Sequence, residues 1–413
     1  MSKDYLSSLP GEMLEEISKF FREDDNGPHQ SYRSLAQTCK SLRAHFQRRI
    51  FSYLYLPVDT RIRKFAELLR NNPILASYIR KIGIEVDDMC MGHFQYPPLL
   101  AIMHAAGTSS RICLYIGSST KFFNELCVDI PSNTMTHIFN APQIILHAIT
   151  SLHIRSTEQA IPVSLFRLLP NLRMLYGSHL LLTLNVRLAE DHTTQFFRPK
   201  LDALVLRHCN PAVITMLCEK ILDLSAVNEL KVVSTEIEST TLNPNVRNLL
   251  AQRLLDCAQS VQKLNLDIGV MDGPFYDLSR LQRLRECTVD LEVRADANPV
   301  PPLCQLLRTL PPLSEHDFEY LHLSIEFIDI IPDENNSHVL LPIDTWSNFD
   351  TTLVDVVSSG TRAFKLTLDF YIPTRNSLVE SLLKTQFVDW GRKHLPMSSQ
   401  QPNLNIIIHH PYS

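Results

Sequence analysis

One short pattern, in which leucines recur with the spacing L-x-x-L-x-L-x-x-C, constrains the fold of this 413-residue chain more than any other feature. Its most complete copy runs from Leu201 through Leu204 and Leu206 to Cys209. Successive side chains of an extended segment point to opposite faces, so Leu204 and Leu206 share one face and Val205 lies on the other. The pattern therefore predicts a short strand that buries one face and ends in a turn.

Weaker copies of the same pattern recur along the chain after Leu56. They span residues 79–84, 149–154, 227–232, 261–266, 318–323 and 363–368. Further strands are predicted at 111–116, 285–293 and 403–408. Segments with helical periodicity, such as 212–224 and 303–310, lie between the strands. Strands that alternate with helices in this way predict an α/β fold with parallel strands.

This arrangement resembles the divergent leucine-rich repeats that follow F-boxes in many fungal proteins. The resemblance implies an irregular leucine-rich-repeat solenoid over residues 57–413, in which parallel strands alternate with helices. The copies lie roughly 22 to 44 residues apart, against 20–29 in regular repeats, so an α/β domain of another kind stays open. The short strands, the recurring L-x-L core and the lack of a glycine-rich turn favour the solenoid.

The N-terminus carries a different pattern, one typical of short helices. Pro10 suits the first turn of a helix, where its missing N–H costs nothing. Leu14 and Ile17 follow at helical spacing and share one face of that helix. Two more short apolar stripes, within residues 32–39 and 42–51, predict a second and a third helix. Three helices in so few residues have a thin core of their own, which is typical of a module that packs on a partner.

This segment, residues 5–56, resembles the F-box, a three-helix module that docks on the Skp-family adaptor of cullin–RING ubiquitin ligases. The resemblance implies that the docking helices carry Leu9, Pro10, Leu14, Ile17, Leu35, Cys39 and Leu42. Some of these residues pack the core of the module instead, and the sequence does not separate the two groups. Many F-boxes have an aromatic residue where this chain has Leu42, and aromatic anchors often supply much of an interface's binding energy.

The two resemblances together predict a non-enzymatic substrate receptor, with the F-box on the adaptor and the repeat body on an unidentified client protein. On the outward face of the strands, Arg155, Arg207 and Lys231 predict a basic region that meets an acidic or phosphorylated client segment. The C-terminal part of the same face is acidic. Two alternatives remain: a non-degradative interaction scaffold with an F-box, and an α/β hydrolase-like enzyme with a helical cap.

Composition and missing motifs exclude several other classes. The net charge of −5 argues against general nucleic-acid binding. The sequence shows neither a secretory signal nor a long apolar run, so we expect no membrane span and a cytoplasmic and/or nuclear location. The 9 cysteines form no CxxC pair and are expected to be reduced thiols. Without a phosphate-binding glycine loop or an HExxH motif, we predict no cofactor, no metal and no catalytic residue.

Overall fold

The computed structural model describes a large part of the chain, and its described residues form two compact units. The described residues are 37, 40–57, 60–86, 96–106, 111–116, 141–155, 160–183, 198–209, 211–233, 252–270, 277–294, 298–311, 317–328, 343–358, 364–371 and 393–409. The first unit covers Met1–Leu172 and the second covers Arg173–Ser413. Each unit contains parallel strands and helices, which confirms the prediction of an α/β fold.

The first unit alternates helices with strands. Its elements are α1 (Lys40–Ser52), β1 (Tyr53–Pro57), α2 (Thr60–Asn71), α3 (Pro73–Ala76), β2 (Lys81–Val86), α4 (Tyr96–Ala106), β3 (Arg111–Ile116), α5 (Gln143–Ala148), β4 (Ile149–Arg155), β5 (Ile161–Pro162) and α6 (Ser164–Arg167). Strands β1 to β4 pair in parallel in chain order. Leu54 of β1 and Ile82 of β2 are paired and buried. Phe46 of α1 is also buried, and the ring of Phe51 stacks on Phe65 of α2.

The second unit continues the alternation. Its elements are β6 (Met174–Ser178), β7 (Leu182–Thr183), β8 (Ala203–Arg207), α7 (Pro211–Met216) with a π-helical turn at Leu217–Ile221, β9 (Glu229–Val233), β10 (Lys263–Val270), β11 (Glu286–Arg294), α8 (Val300–Thr309), β12 (Tyr320–Ile328), α9 (Ile343–Ser358), β13 (Phe364–Tyr371), a 3-10 turn at Ser398–Gln400 and β14 (Leu404–His409). Residues 252–257 are also helical. Within the described part of this unit, β6 and β8 to β14 form a parallel sheet in chain order.

Apolar side chains from the same position of each strand form a continuous buried row in this sheet. The paired residues of the first row are Leu175, Leu204, Leu230, Leu264, Cys287, Leu321 and Leu366, all buried. A second buried row lies two residues further along the strands and includes Leu206, Leu266, Val289, Leu323 and Leu368. These rows contain the two core leucines of the sequence pattern, which explains why the pattern recurs at each strand.

Backbone hydrogen bonds repeat with the same regularity just before the strands. In each step, an N–H donates to a carbonyl oxygen of the preceding strand segment, at 2.7 to 2.9 Å. The successive residues in this series are Asp202, Asn228, Gln262, Arg285, Glu319 and Lys365. Because every step joins neighbouring segments in one register, the series fixes which residues of each strand lie in the buried rows.

Helix α9 closes the C-terminal end of this core. Its Trp346 ring packs edge-on against Phe349 and against Phe370 of β13, at centroid distances of 5.6 and 5.9 Å. One turn later, the buried carboxylate of Asp350 accepts hydrogen bonds from the backbone N–H groups of Met397 and Ser398, both at 2.8 Å. These N–H groups begin the 3-10 turn, where no earlier carbonyl is available as a partner. Asp350 therefore ties α9 to the segment that leads into β14.

We predict that Asp350→Asn destabilises the second unit. The amide nitrogen of asparagine would face a backbone donor, so one buried N–H would lose its acceptor, at a cost of about 2 kcal/mol in the free energy of unfolding. Denaturant unfolding monitored by tryptophan fluorescence measures this change, because Trp346 lies one turn away. Asp355→Asn is the matched control, since Asp355 is exposed on the same helix. Equal stability of the two variants would contradict the role given to Asp350.

Candidate functional site

The parallel sheet of the second unit has one face opposite the buried rows, and this face is partly exposed and largely polar. We call it the exposed face. Its first row lies between the two buried rows and contains Tyr176, Val205, Lys231, Asn265, Thr288, His322, Thr367 and Ile407. Its second row contains Ser178, Arg207, Val233, Asp267, Asp290, Ser324 and Asp369. Most of these side chains are half-buried.

Negative charge is concentrated on strands β10 to β13 of the exposed face. Asp267 pairs with Asp290, and Ser324 separates Asp290 from Asp369 in the same row. Two residues further along, Glu292 pairs with Glu326. Neighbouring strands lie about 4.8 Å apart, so these carboxylates are close together. We call the set of Asp267, Asp290, Glu292, Glu326 and Asp369 the acidic half.

One histidine lies inside the acidic half and is held by contacts on two sides. The Nε2 atom of His322 is 2.7 Å from Oδ2 of Asp369, and the two side chains are only 24% and 13% exposed. The ring of Tyr320 stacks against His322 at a centroid distance of 6.2 Å. The ammonium group of Lys365 in turn lies 5.0 Å from the centre of the Tyr320 ring. The imidazole is therefore fixed in place between neighbouring strands.

Burial and a neighbouring like charge both affect the pKa of Asp290. Burial raises the pKa of this carboxyl above its ordinary value of 3.8, and the negative charge of Asp267 raises it further. The charges of Lys231 and His322 act in the opposite direction. Burial also raises the pKa of Tyr371, with added contributions from Asp369, Asp290 and Glu326. The acidic half therefore stabilises protonated groups and, by the same electrostatics, favours any cation brought to it.

The three residues predicted to form a basic region occupy different surroundings. Arg207 lies in the second row, with its Cζ atom 5.3 Å from the centre of the Tyr176 ring, a cation–π contact. Lys231 lies in the first row and acts electrostatically on Asp290. Arg155 ends β4 of the first unit. That these residues meet an acidic client segment stays a prediction. The charge of Lys231 acts on Asp290, which is a member of the acidic half.

The sequence analysis missed a strained corner at the ends of β6 and β8. His179 and His208 directly follow these strands, and both have positive φ angles, of 50° and 49°. Their rings stack with centroids 4.8 Å apart. Gly177 makes this corner possible, because a Cβ there would lie 2.8 Å from Cγ of the buried Leu180. No periodic signal marks such a corner, since the left-handed residues are histidines rather than glycines.

The seven predicted docking residues of the N-terminal segment fall almost entirely outside the described residues. Leu42 lies in helix α1, which confirms a helix at the third apolar stripe. The other six, Leu9, Pro10, Leu14, Ile17, Leu35 and Cys39, lie outside the described residues. The domain limits 5–56 and 57–413 stay a prediction. Strand β1, which begins at Tyr53, pairs with β2 and so belongs to the first unit's sheet.

The described thiols do not resemble activated nucleophiles. An open groove of about 680 Å³ includes Cys257, Asp256 and Ser260 among its lining residues. Burial and the charge of Asp256 raise the pKa of the Cys257 thiol, which disfavours a thiolate. The Ser260 hydroxyl donates to backbone carbonyls of Ser225 and Val227, at 2.8 and 3.0 Å. The described groove residues therefore show no serine or cysteine prepared for attack on a substrate.

The described part of the chain shows neither a metal site nor a membrane-spanning helix. Across the described ranges, no three His, Cys, Asp or Glu side chains are grouped so that they could hold a metal ion. None of the helices among the residues the structure describes is long and apolar enough to cross a membrane.

We predict that Asp290→Asn stabilises the protein at neutral pH by about 0.5 kcal/mol, because it removes one member of a like-charged cross-strand pair. A carboxyl with a raised pKa binds its proton more tightly in the folded state, so stability falls as pH rises from 3.8 through that raised value. The gain should therefore disappear when the pH is lowered through this window. Thermal unfolding of both proteins between pH 3 and 7 measures it.

Asp277→Asn serves as the control of opposite sign. The Ser279 hydroxyl and N–H donate to this carboxylate at 2.6 and 3.0 Å and hold its pKa below the ordinary value. Its loss should lower stability at neutral pH. If Asp290→Asn lowers stability at neutral pH as well, the like-charge crowding described above is not present in solution.

Comparison with known proteins does not assign the chain to a family. No protein-family model matches it. A search of curated proteins finds no significant match either. The chain's own sequence patterns and its exposed face therefore carry the functional assignment.

Proposed function

We propose that this protein is a substrate receptor of an SCF-type cullin–RING ubiquitin ligase. Residues 5–56 form an F-box that binds the Skp-family adaptor, and residues 57–413 form a divergent leucine-rich-repeat solenoid that binds a client protein. The N-terminal sequence pattern supports the first part of the proposal. The parallel sheets, the recurring buried leucine positions and the helices between strands support the second.

The observation that carries the proposal is the division of the second sheet into a buried and an exposed face. The buried face uses the apolar positions of most strands, so the opposite face is free to vary in chemistry without loss of the fold. That face carries charged and aromatic side chains over at least six neighbouring strands. A surface whose charged side chains repeat over this many strands suits the binding of a protein segment better than the binding of a small molecule.

A receptor of this type holds its client near the ligase and does not itself catalyse a reaction. Binding to the adaptor and to the client at the same time makes the encounter between the client's lysines and the transferred ubiquitin effectively intramolecular. This role requires no catalytic group on the chain. It agrees with the burial of the Cys209, Cys218 and Cys287 thiols, which raises their pKa values to about 11, about 12 and about 12.

We predict that the double variant Leu9→Ala/Pro10→Ala loses the Skp-type adaptor. Truncation of interface anchors commonly costs more than about 1 kcal/mol each, so the co-purified adaptor should fall at least tenfold. The measurement is the ratio of adaptor to full chain after affinity purification. Ile74→Ala is the control, because Ile74 is 70% exposed on α3 and lies outside the proposed F-box. Full retention of the adaptor by a folded double variant would remove the F-box part of the proposal.

Client turnover separates a receptor from a scaffold. Proteins that co-purify with the Leu9→Ala/Pro10→Ala variant are candidate clients, because this variant keeps the repeat body and does not deliver them. In cells that carry the variant in place of the wild type, a receptor's client should have a half-life at least twice as long. A scaffold's partner should show the same half-life in both cells. Cycloheximide chase of the co-purifying proteins measures the difference.

A further inference from the structure

We propose that the acidic half of the exposed face is the client-binding surface, and that it binds a lysine- or arginine-rich segment. This inference rests on the proposed function, since it names the chemistry of the client that the receptor holds. It gives the client a charge opposite to the one predicted from Arg155, Arg207 and Lys231. Four features of the described residues support it.

The first feature is the balance of charge. On strands β10 to β13, the second row and the positions beyond it carry five carboxylates, listed above as the acidic half. Within the described part of these strands, basic residues also lie on the same face. Lys263 and Lys365 stand two residues before the first row, where Lys263 forms an ion pair with Glu286. His322 of the first row contacts Asp369, and Arg294 stands two residues beyond Glu292, so the five carboxylates still outnumber the basic residues that have no acidic partner in their own row. Lys231 of the neighbouring strand offsets part of the charge of Asp290. The surface keeps a net negative charge, which attracts a cationic segment and repels a phosphorylated one.

The second feature is the geometry of the rows. Strands β10 to β13 are joined by three neighbouring pairings, so the acidic half extends over about 14 Å across the strands. An extended peptide advances about 3.3 Å per residue, so a segment of about five residues covers this distance. The carboxylates are placed along it at intervals of one or two strands. A short run of basic residues therefore fits the surface better than a single charged residue does.

The third feature is an aromatic side chain at the edge of the acidic half. Tyr371 of β13 is 40% exposed and pairs with Glu326 of β12. Burial raises its pKa, and the charges of Asp369, Asp290 and Glu326 raise it further. Arginine and lysine side chains bind favourably over aromatic rings when a carboxylate is also within reach. A tyrosine among carboxylates is thus a suitable contact for a basic side chain.

The fourth feature is that the cross-strand pairing of like charges does not favour the fold. Like charges on directly paired residues, such as Asp267 and Asp290, destabilise a sheet. The buried rows would be unchanged if asparagine or serine stood at these positions. Residues that lower the stability of a fold, as these paired like charges do, are typical of binding surfaces. A bound cation would reduce the repulsion between these carboxylates. The repulsion that destabilises the free protein would therefore strengthen the binding of a basic client segment.

Isosteric removal of charge tests the proposal without disturbing the fold. The first variant is Asp267→Asn/Asp290→Asn/Glu292→Gln on the exposed face. The matched control is Asp202→Asn/Asp256→Asn/Glu219→Gln, which makes the same substitutions at surface positions off this face. There the carboxylates form exposed ion pairs, and Asp256 also accepts a hydrogen bond from Gln252. Both variants change the net charge of the chain by the same amount. Any difference between them therefore reports location rather than total charge.

The probes are labelled synthetic peptides of one length, in which five lysines, five glutamines or five phosphoserines alternate with glycines. Fluorescence anisotropy with the full chain measures their dissociation constants at low and at moderate salt. We expect the lysine peptide to bind wild type more tightly than the other two, with weaker binding at higher salt. The face variant should bind it at least tenfold more weakly, and the control variant should stay within twofold of wild type.

Three outcomes would overturn the proposal: no binding of the lysine peptide to wild type, an equal loss in both variants, or tighter binding of the phosphoserine peptide. Adaptor co-purification is measured on the same preparations. If the adaptor binds and the lysine peptide does not, the receptor function stands and the client chemistry is wrong. If the lysine peptide binds through the exposed face and the adaptor does not, the surface is real and the ligase assignment is wrong.

Discussion

The second unit depends on one packing interaction that is repeated at most of its strands, the burial of apolar side chains from two alternating positions. Leu204 and Leu206 show it in its simplest form, with both side chains almost fully buried. Each such leucine contributes roughly 1.5–3 kcal/mol by leaving water. Because the strands are parallel and paired in one register, the contributions line up into continuous rows. Backbone hydrogen bonds before each strand hold that register, so the rows and the strand pairing support each other.

The same alternation determines where function can lie. A strand that commits every second residue to the buried rows presents the remaining residues on the opposite face. In this chain those residues change character along the sheet, from Tyr176 and Arg207 at one end to the carboxylates of β10 to β13 at the other. The fold therefore sets the spacing of the exposed side chains, and the sequence sets their charge. In the proposed function, recognition of a client follows from this division rather than from a pocket.

Much of this organisation could be predicted from the sequence, because the buried positions have a strong and local signature. The copies at 201–209, 227–232, 261–266 and 318–323 each contain a strand, and their outward positions are the ones that form the exposed face. The sequence pattern does not place Asp290 on that face, because Cys287 stands where the leucine of the repeat pattern is expected. Helix α9 was missed since its buried residues, Trp346 among them, are interrupted by polar ones.

Other parts of the site depend on contacts that no local pattern encodes. The stacking of His179 on His208 requires two strands that lie next to each other only in the folded sheet. The pairing of His322 with Asp369 joins residues 47 positions apart in the chain. Six of the seven predicted docking residues, all except Leu42, lie outside the described residues, so the proposed F-box rests on its sequence pattern.

Direct titration of the purified chain with a purified Skp-type adaptor is the sharpest test of the central claim, that this protein connects a client to a ubiquitin ligase. The account predicts a one-to-one complex with a dissociation constant well below 1 µM, which corresponds to a binding free energy stronger than about −8 kcal/mol. A folded chain that shows no binding at micromolar concentrations of both proteins would contradict it.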